Sequence, residues 1–455
     1  GAALFAAGWF TNAGGVRALR VSRWNGSAWS ALGTGLNGTV RAMAIFDDGL
    51  GGGPALFVGG DFTSAGNVST NNIAKWDGTQ WSALGNGMNG IVRALEVFDD
   101  GSGGGPALYA AGQFSVAGST EASFLAKWDG ETWTAVGDGT NGWIYALEVF
   151  DDGGGGGPAL FVGGNFMSAG GVDASRVARW DGTAWSSVGG AAPDGPVYAL
   201  LAVDAPQLGG PALFMSGFFH DLGVIPANFV ARWNGAGWSA LGTGTNDWIW
   251  ALEVFDDGSG SGPSLIAGGY FIFAGGMSAA RIAKWNGAEW STLGSGIAGV
   301  AAPRIFSLKV FDDEGGAGPA LYAGGIFATA GGVPAANIAK WNGSEWSALG
   351  DGVSGGAAPG VQALVVSNDG AALIAGGSFP ASPALDSFVA RWQGCAEPPC
   401  APADLNCDGF VDGDDLGTLL GQWGECAGCA ADFNGDGVVD GDDLGELLGE
   451  WTPIG

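Results

Sequence analysis

The sequence has one histidine, His220, among 455 residues, and 16 Lys and Arg against 45 Asp and Glu. A formal net charge of −29 excludes the basic footprint of a nucleic-acid binder and makes an anionic membrane surface an unfavourable partner. No run of about 18 or more apolar residues occurs, which argues against a membrane span. There is no G-x-S-x-G element, and a Ser-His-Asp triad would have to use His220, so covalent hydrolase chemistry of that kind is disfavoured. Cysteine is absent before residue 395. All five (Cys395, Cys400, Cys407, Cys426 and Cys429) lie in the last 61 residues. Clustered cysteines in a small, loop-rich segment suggest disulfides and an oxidising, extracytoplasmic compartment, with one thiol left free or paired between chains. Cys426-x-x-Cys429 is also open to a redox or zinc reading, but one His and no second C-x-x-C weigh against zinc. The chain opens on a glycine with no leader, which points to a processed or cut N-terminus.

Low charge alone might signal disorder, but 47% hydrophobic content and 21 Trp contradict that. The tryptophans are ordered. A paired motif recurs seven times, as WNGSAWSALG from Trp24, WDGTQWSALG from Trp76 and WDGETWTAVG from Trp128, then from Trp180, Trp233, Trp285 and Trp341. With Trp392, the first Trp of each unit is spaced by 52, 52, 52, 53, 52, 56 and 51 residues. A period near fifty residues marks a repeat architecture.

One unit, from Ile91 to Gly137, contains four strand-like pieces: IVRALEVF, ALYAAGQF, FLAKWDG and TWTAVG, separated by Gly-rich or Asp-Gly punctuation. The W-D/N-G-x-x-W segment is expected to form a tight hairpin through a type I′ turn, with its two Trp in cross-strand contact. Radial packing lets each four-stranded unit bury both faces, so a β-propeller is favoured over a linear solenoid.

The hydrophobic run entering a Gly-Gly pair (ALFVGG at Ala55 and Ala159, LYAGG at Leu321), followed by an aromatic-turn-Trp segment, resembles kelch repeats over residues 1 to about 393. That resemblance implies a kelch-like β-propeller with the V-x-A-L-x-V-F strand innermost. Eight blades are favoured, with seven the alternative. It says little about function, because such folds host oxidases, binding platforms and scaffolds. Kelch-type copper oxidases need paired His ligands, which His220 alone cannot supply. The likeness of the W-D-G turn to a sialidase Asp box is superficial, because Asp77 directly precedes Gly78.

Acids that recur at equivalent places in five units are expected to be turn devices rather than catalysts. FDDG at Phe46, Phe98, Phe150 and Phe255, and FDDE at Phe311, belong to that class, with weak calcium binding as the alternative. Positions where the units differ are more informative. Near the start of the inner strand the series runs Arg41, Arg93, Tyr145, Tyr198, Trp250, Phe306 and Gln362, with Trp143 and Trp248 just before that strand. At the mouth of a propeller, Trp143, Tyr145, Tyr198, Trp248 and Trp250 would form a stacking surface for sugar rings or for a partner protein. Core packing between blades is the competing explanation.

After residue 393 the composition changes. A Cys/Pro linker (394–403) precedes two near-copies, DLNCDGFVDGDDLGTLLGQW from Asp404 and DFNGDGVVDGDDLGELLGEW from Asp432. Each fits an EF-hand-like loop. Side-chain oxygens come from Asp404, Asn406, Asp408, Asp412 and Asp415 with the Phe410 carbonyl, and from Asp432, Asn434, Asp436, Asp440 and Asp443 with the Val438 carbonyl. The expected cofactor is therefore Ca²⁺, two ions in the C-terminal segment. Behind each loop, Leu416, Leu419, Leu420 and Trp423 repeat as Leu444, Leu447, Leu448 and Trp451, a spacing that predicts one apolar helical face.

Paired loops of this form resemble a type I dockerin, and more particularly the Gly-Cys-preceded dockerin-like tails of secreted bacterial proteins (Gly394, Cys395). The resemblance implies a small α-helical calcium-binding domain over 404–455. Its cohesin-like partner would be contacted at the tenth and eleventh loop places, Gly413 and Asp414, and Gly441 and Asp442. These differ from the Ser-Thr pairs of cellulosomal examples, so another surface anchor is the alternative partner.

The whole chain is thus expected to be a secreted or surface-anchored, non-enzymatic recognition propeller, with an extracellular polysaccharide as a further candidate partner. The alternative is a carbohydrate-active propeller enzyme recruited by its dockerin. The calcium expectation is direct to check. Titration of the full chain should saturate at two Ca²⁺, and Asp408→Ala and Asp436→Ala should each remove one ion. Unchanged stoichiometry in the double variant contradicts it.

Overall fold

The computed structural model describes residues 34–50, 53–77, 79–311 and 319–348, together with strand segments at 4–7, 21–24, 29–31, 360–366, 373–378, 389–392, 424–425 and 438–439, and Leu444. The chain divides into two compact units, 1–312 with 319–392, and 313–318 with 393–455.

In the first unit the repeat becomes a row of antiparallel sheets. Sheets 2 to 7 have four strands each, in simple meander order, and their first strands are Thr39–Phe46, Ile91–Phe98, Trp143–Phe150, Val197–Ala205, Ile249–Phe255 and Arg304–Phe311. Sheet 1 (from Leu4–Ala7) and sheet 8 (from Gly360–Val366) show three strands each among the described residues. The first strands of consecutive sheets lie against one another from sheet 2 to sheet 8, so they are innermost. Leu4–Ala7 of sheet 1 lies against Leu373–Ser378 of sheet 8. The architecture is β-propeller-like.

The core lies between sheets. One cluster joins Phe46 and Phe57 of sheet 2 to Val92, Leu108, Phe114, Trp128 and Trp133 of sheet 3. Four similar clusters follow between the later sheets. In Ala55–Asp61 the Gly-Gly pair makes this packing possible. A Cβ on Gly59 would meet the Val92 side chain of the next sheet at 2.4 Å. A Cβ on Gly60 would meet the Thr39 carbonyl of its own sheet at 2.0 Å.

The tryptophan pairs are cross-strand partners, Trp76 with Trp81 and Trp128 with Trp133, with ring centroids 5.2 and 5.1 Å apart. Each second Trp also reaches the preceding sheet. Trp133 Nε1 donates to the Leu84 carbonyl at 2.8 Å, Trp185 to Val136 at 3.1 Å and Trp238 to Val188 at 2.8 Å. Trp290 and Trp346 do the same to Leu241 and Leu293. The W-x-x-L-G motif thus contains both halves of a link between blades: an indole donor, and a Leu or Val carbonyl that accepts from the following blade.

The turn between the tryptophans differs from expectation. It is a four-residue loop rather than a two-residue type I′ turn, and only its glycine takes positive φ (Gly130 106°, Gly182 97°). The preceding side chain organises it. Asp77 Oδ1 accepts from the Thr79 and Gln80 amides, and Asn286 Oδ1 accepts from those of Ala288 and Glu289. The two amides need only one acceptor oxygen, which explains why Asp and Asn interchange here, although Asp129 also accepts from the Thr132 hydroxyl on Oδ2.

The expectation of an α-helical C-terminal domain is corrected. Among the described residues the second unit shows a two-stranded pairing of Gly424–Glu425 with Val438–Val439, and no α-helical dockerin-like domain. The helical residues described are the 3₁₀ turn Pro206–Leu208 in the first unit and Leu444 in the second. Of the expected helical faces, Leu416, Leu419, Leu420, Trp423, Leu447, Leu448 and Trp451 lie outside the described residues and Leu444 is helical, while Val438–Val439 of the second acidic loop are in β pairing, as β-branched residues readily are.

Removing one inter-blade link isolates its contribution. Trp133→Phe keeps a ring in the cluster and removes the indole bond, while the Leu84 carbonyl keeps the Gly87 amide at 3.1 Å. It should cost about 0.5–1.5 kcal/mol in a denaturation experiment, and an unchanged midpoint contradicts this role.

Candidate functional site

The varying series Arg41, Arg93, Tyr145, Tyr198, Trp250, Phe306 and Gln362 has a common structural cause. In every one of these sheets the pairing of the inner strand with its neighbour skips that residue: the register shifts between Val40 and Ala42, Val92 and Ala94, Ile144 and Ala146, and Val197 and Ala199. It shifts likewise between Ile249 and Ala251, Ile305 and Ser307, and Val361 and Ala363. Each is the extra residue of a β-bulge, a device that re-aims one side chain out of the regular alternation. The glycine at the second place of this pair, which is kept in sheet 3 even where Ala111 replaces the first, lets the two strands approach at the bulge. A Cβ on Gly112 would lie 2.1 Å from the Ile91 carbonyl, and one on Gly164 would lie 2.2 Å from the Trp143 carbonyl.

The bulges bring side chains of neighbouring blades together at one mouth. Tyr145 and Tyr198 have ring centroids 5.2 Å apart, and Arg93 lies over the Tyr145 ring at 5.7 Å. In the next sector Trp250 contacts Phe306 at 5.3 Å and Trp248 at 5.6 Å, and Phe218 packs edge-on to Trp248. Trp143 begins its strand and is 47% exposed, while Trp248 is 38% exposed. The five candidate aromatics therefore fall into two groups, Tyr145 with Tyr198 and Trp248 with Trp250, with Trp143 standing by itself. Phe218, His220 and Phe229 extend the second group, beside a cavity of about 340 Å³ lined also by Thr245, Asn246 and Phe273.

The two ends of the propeller are chemically different. Met167, Val172, Phe218, Ile272, Phe273 and Met277 are exposed on hairpins and strand ends at the mouth just described. The opposite end carries the Asp-Asp turns, and there the acids have structural partners. Asp47 and Asp99 accept from the amides of Gly49 and Gly101 within their own turns. The second Asp pairs with the cation of the I-A-K-W strand: Asp48 with Lys75, Asp100 with Lys127 at 2.5 Å, Asp257 with Lys284, and Asp152 with Arg179 at 3.5 Å. Burial opposes charge on Asp257, but Lys284 and Ser259 outweigh it and bring its carboxyl down to about 2. Among the described residues no group of His, Cys, Asp and Glu is arranged to hold a metal ion.

Inside the mouth lies a belt that the motif comparison passed over. Three residues beyond the bulge, the inner strands carry Glu96, Glu148 and Glu253, with Lys309 in the next blade, where other blades have Ala44 or Leu201. An innermost strand is a sheet edge with unpaired amides, and these carboxylates accept from them. Glu148 Oε1 takes the Ala202 amide of the following blade at 3.1 Å, and Glu96 and Glu253 take those of Val97 and Val254. Lys309 Nζ reaches Glu253 at 2.9 Å. Burial pushes Glu148 up to about 8, with Glu96 and Glu253 acting in the same direction and the Ala202 amide and Lys309 opposing; burial also raises Glu96. The blade-to-blade comparison that singled out the bulge series would have found this belt if applied three residues further on.

The calcium-ligand candidates Asp404, Asn406, Asp408, Phe410, Asp412, Asp415, Asp432, Asn434, Asp436, Asp440 and Asp443, and the partner candidates Gly413, Asp414, Gly441 and Asp442, lie outside the described residues. Val438 is described, as the strand residue opposite Glu425.

No family model matches the chain, and no curated protein matches it. Among solved structures it is similar to BBS1N in complex with ARL6DN, at 12% identity and a TM-score of 0.44, covering 80% of this chain and 94% of that one. It is also similar to the extracellular domain of the putative one component system BT4673 from B. thetaiotaomicron, at 11% identity and a TM-score of 0.27, covering 86% of this chain and 59% of that one. No helix among the described residues is long and apolar enough to cross a membrane.

The belt generates a pH dependence. Glu148 in the folded protein holds its proton to about pH 8, whereas in the unfolded chain it ionises near the ordinary 4.5. The native state therefore binds more protons between these values, and stability should fall as pH rises from about 5 to 8, with a slope of up to about 1.4 kcal/mol per pH unit for one group. Glu148→Gln keeps the acceptor and removes the titration, so its stability curve should be flatter. Parallel curves for the two proteins contradict the assignment.

Proposed function

We propose that this protein is an extracellular or cell-surface, non-enzymatic recognition propeller. Its ligand is a polysaccharide that stacks on the aromatic mouth, and its C-terminal calcium-binding, dockerin-like repeats tether it to a cohesin-like or other surface-anchoring protein. The propeller is of the kelch type, as the Gly-Gly and W-x-x-L-G motifs suggest. The single observation that carries the recognition half is the bulge in every blade. In sheets 2 to 8 it sets one residue per blade out of the regular alternation, and that residue varies in chemical type while the tryptophan clasp recurs. Exposed aromatic faces suit pyranose rings because each presents a large apolar surface at low entropic cost. The two acidic loop repeats carry the tethering half, through their oxygen-ligand spacing.

A second reading, a carbohydrate-active propeller enzyme recruited to an extracellular assembly, is supported by one observation. Glu148 retains its proton near neutral pH beside Glu96 and Glu253, as a general acid requires. The hydrogen bonds of all three carboxylates to edge amides favour the structural role instead.

A polysaccharide array run with a parallel hydrolysis assay separates the two. Recognition predicts retention of at least one glycan without turnover, weakened about tenfold or more in Tyr145→Ala or Trp250→Ala, each ring removing roughly 1–3 kcal/mol of stacking and burial. Turnover that disappears in Glu148→Gln would establish the enzyme and sink the first reading.

A further inference from the structure

In a chain of net charge −29, Lys75, Lys127, Arg179 and Lys284 at the Asp-Asp end sit in ion pairs, while Arg232 there donates to the Gly209 carbonyl; inside the mouth Lys309 is paired with Glu253. Ion pairs among the described residues use Lys75, Lys127, Arg179, Lys284 and Lys309. Arg41, Arg93 and Arg304 take part in none. Arg41 and Arg93 are the bulge residues of two consecutive blades, and Arg304 lies two residues before the bulge residue Phe306.

Arg93 is half-buried, and its Nε is enclosed without a hydrogen-bond partner; the Nε of Arg304 is in the same condition. The partner that Arg93 does have is the face of Tyr145, 5.7 Å from the guanidinium carbon, and Tyr145 is stacked in turn on Tyr198 at 5.2 Å. Burial lowers the proton affinity of Arg93, and the neighbouring charge of Arg41 lowers it further, with Asp61 and the tyrosines acting the other way. Two like charges on consecutive blades are an unfavourable arrangement that an incoming anion relieves.

We infer that the ligand of the mouth is acidic: a uronic-acid polysaccharide whose carboxylate sits between Arg41 and Arg93 and whose pyranose ring lies against Tyr145 and Tyr198. Guanidinium groups bind carboxylates through paired, charge-assisted hydrogen bonds, which a neutral sugar or a methyl ester cannot return. In the next sector Arg304 lies over the Phe306 ring at 5.3 Å, so the Trp248, Trp250 and Phe306 group suits a neighbouring sugar of the same acidic polymer. The inference rests on the proposed glycan-binding role of the mouth and adds the charge class of the ligand to it.

Polygalacturonate and its fully methyl-esterified form, which share a backbone and differ in charge, are the probes for the full-length chain. By calorimetry the acid form should bind about tenfold or more tightly than the ester, the amount expected for one charge-assisted contact. Arg93→Gln should remove that preference, and Arg93→Lys, which keeps the charge, should restore part of it. Glutamine is already the bulge residue of sheet 8, Gln362, so the fold accommodates it there, and an unchanged melting temperature verifies this. Equal binding of both polymers, or a preference unchanged in Arg93→Gln, overturns the acidic-ligand inference while leaving a glycan-binding mouth standing. Binding of the acid form that persists unchanged in Tyr145→Ala and Arg93→Gln together places the polymer elsewhere, and overturns both.

Discussion

The indole N–H of the second tryptophan in each repeat is the constraint on which the rest of the structure depends. A four-stranded blade of such short strands buries its faces only against another blade, so the repeat must carry its own instructions for association. The bond from Trp133 to the Leu84 carbonyl, and its four counterparts, fix each outer hairpin to the end of the preceding blade. The glycine of the same hairpin packs on the preceding Asp-Asp turn, where a Cβ on Gly130 would meet the Asp48 carbonyl at 2.6 Å. One ten-residue motif therefore sets the spacing between blades at the rim, and its near-invariance needs no ligand to explain it.

A second constraint acts at the axis. Gly-Gly on the second strand admits both the apolar side chain of the next blade and the backbone of its own inner strand, which bulges at that point. The bulge frees one side chain per blade from packing duties. Nothing about the blade then specifies what that residue is, and it varies among Arg, Tyr, Trp, Phe and Gln. Strict packing at the rim and chemical freedom at the mouth come from the same repeat, separated only by position along the strand.

Much of this was legible in the sequence. The fifty-residue period located the strands of the unit from Ile91 to within a residue or two, and comparison of the blades picked out the bulge series before any bulge was visible. What escaped has physical causes. The turn after Trp76 was misassigned because Asp-Gly suits a type I′ turn, whereas the Asp side chain bonds forward to two amides and opens a four-residue loop. The Glu96, Glu148 and Glu253 positions stand out from blade to blade in the sequence, but their bonds to inner-edge amides do not, because those amides are exposed by the arrangement of the blades and no local pattern encodes them. The helical expectation for the C-terminal unit rested on leucine spacing and on the dockerin resemblance, whereas among the described residues that unit shows the pairing of Gly424–Glu425 with Val438–Val439.

The central claim is that tryptophan has two separate jobs here: a structural link where it recurs, and recognition where it does not. Indole N–H resonances of the ¹⁵N-labelled protein test this directly, during titration with a polysaccharide that it binds. The indoles of Trp133, Trp185, Trp238, Trp290 and Trp346 should be slow to exchange with solvent and should not shift, whereas those of Trp143, Trp248 and Trp250 should exchange faster and move on binding. Shifts confined to the linking indoles, with the mouth silent, would contradict the account.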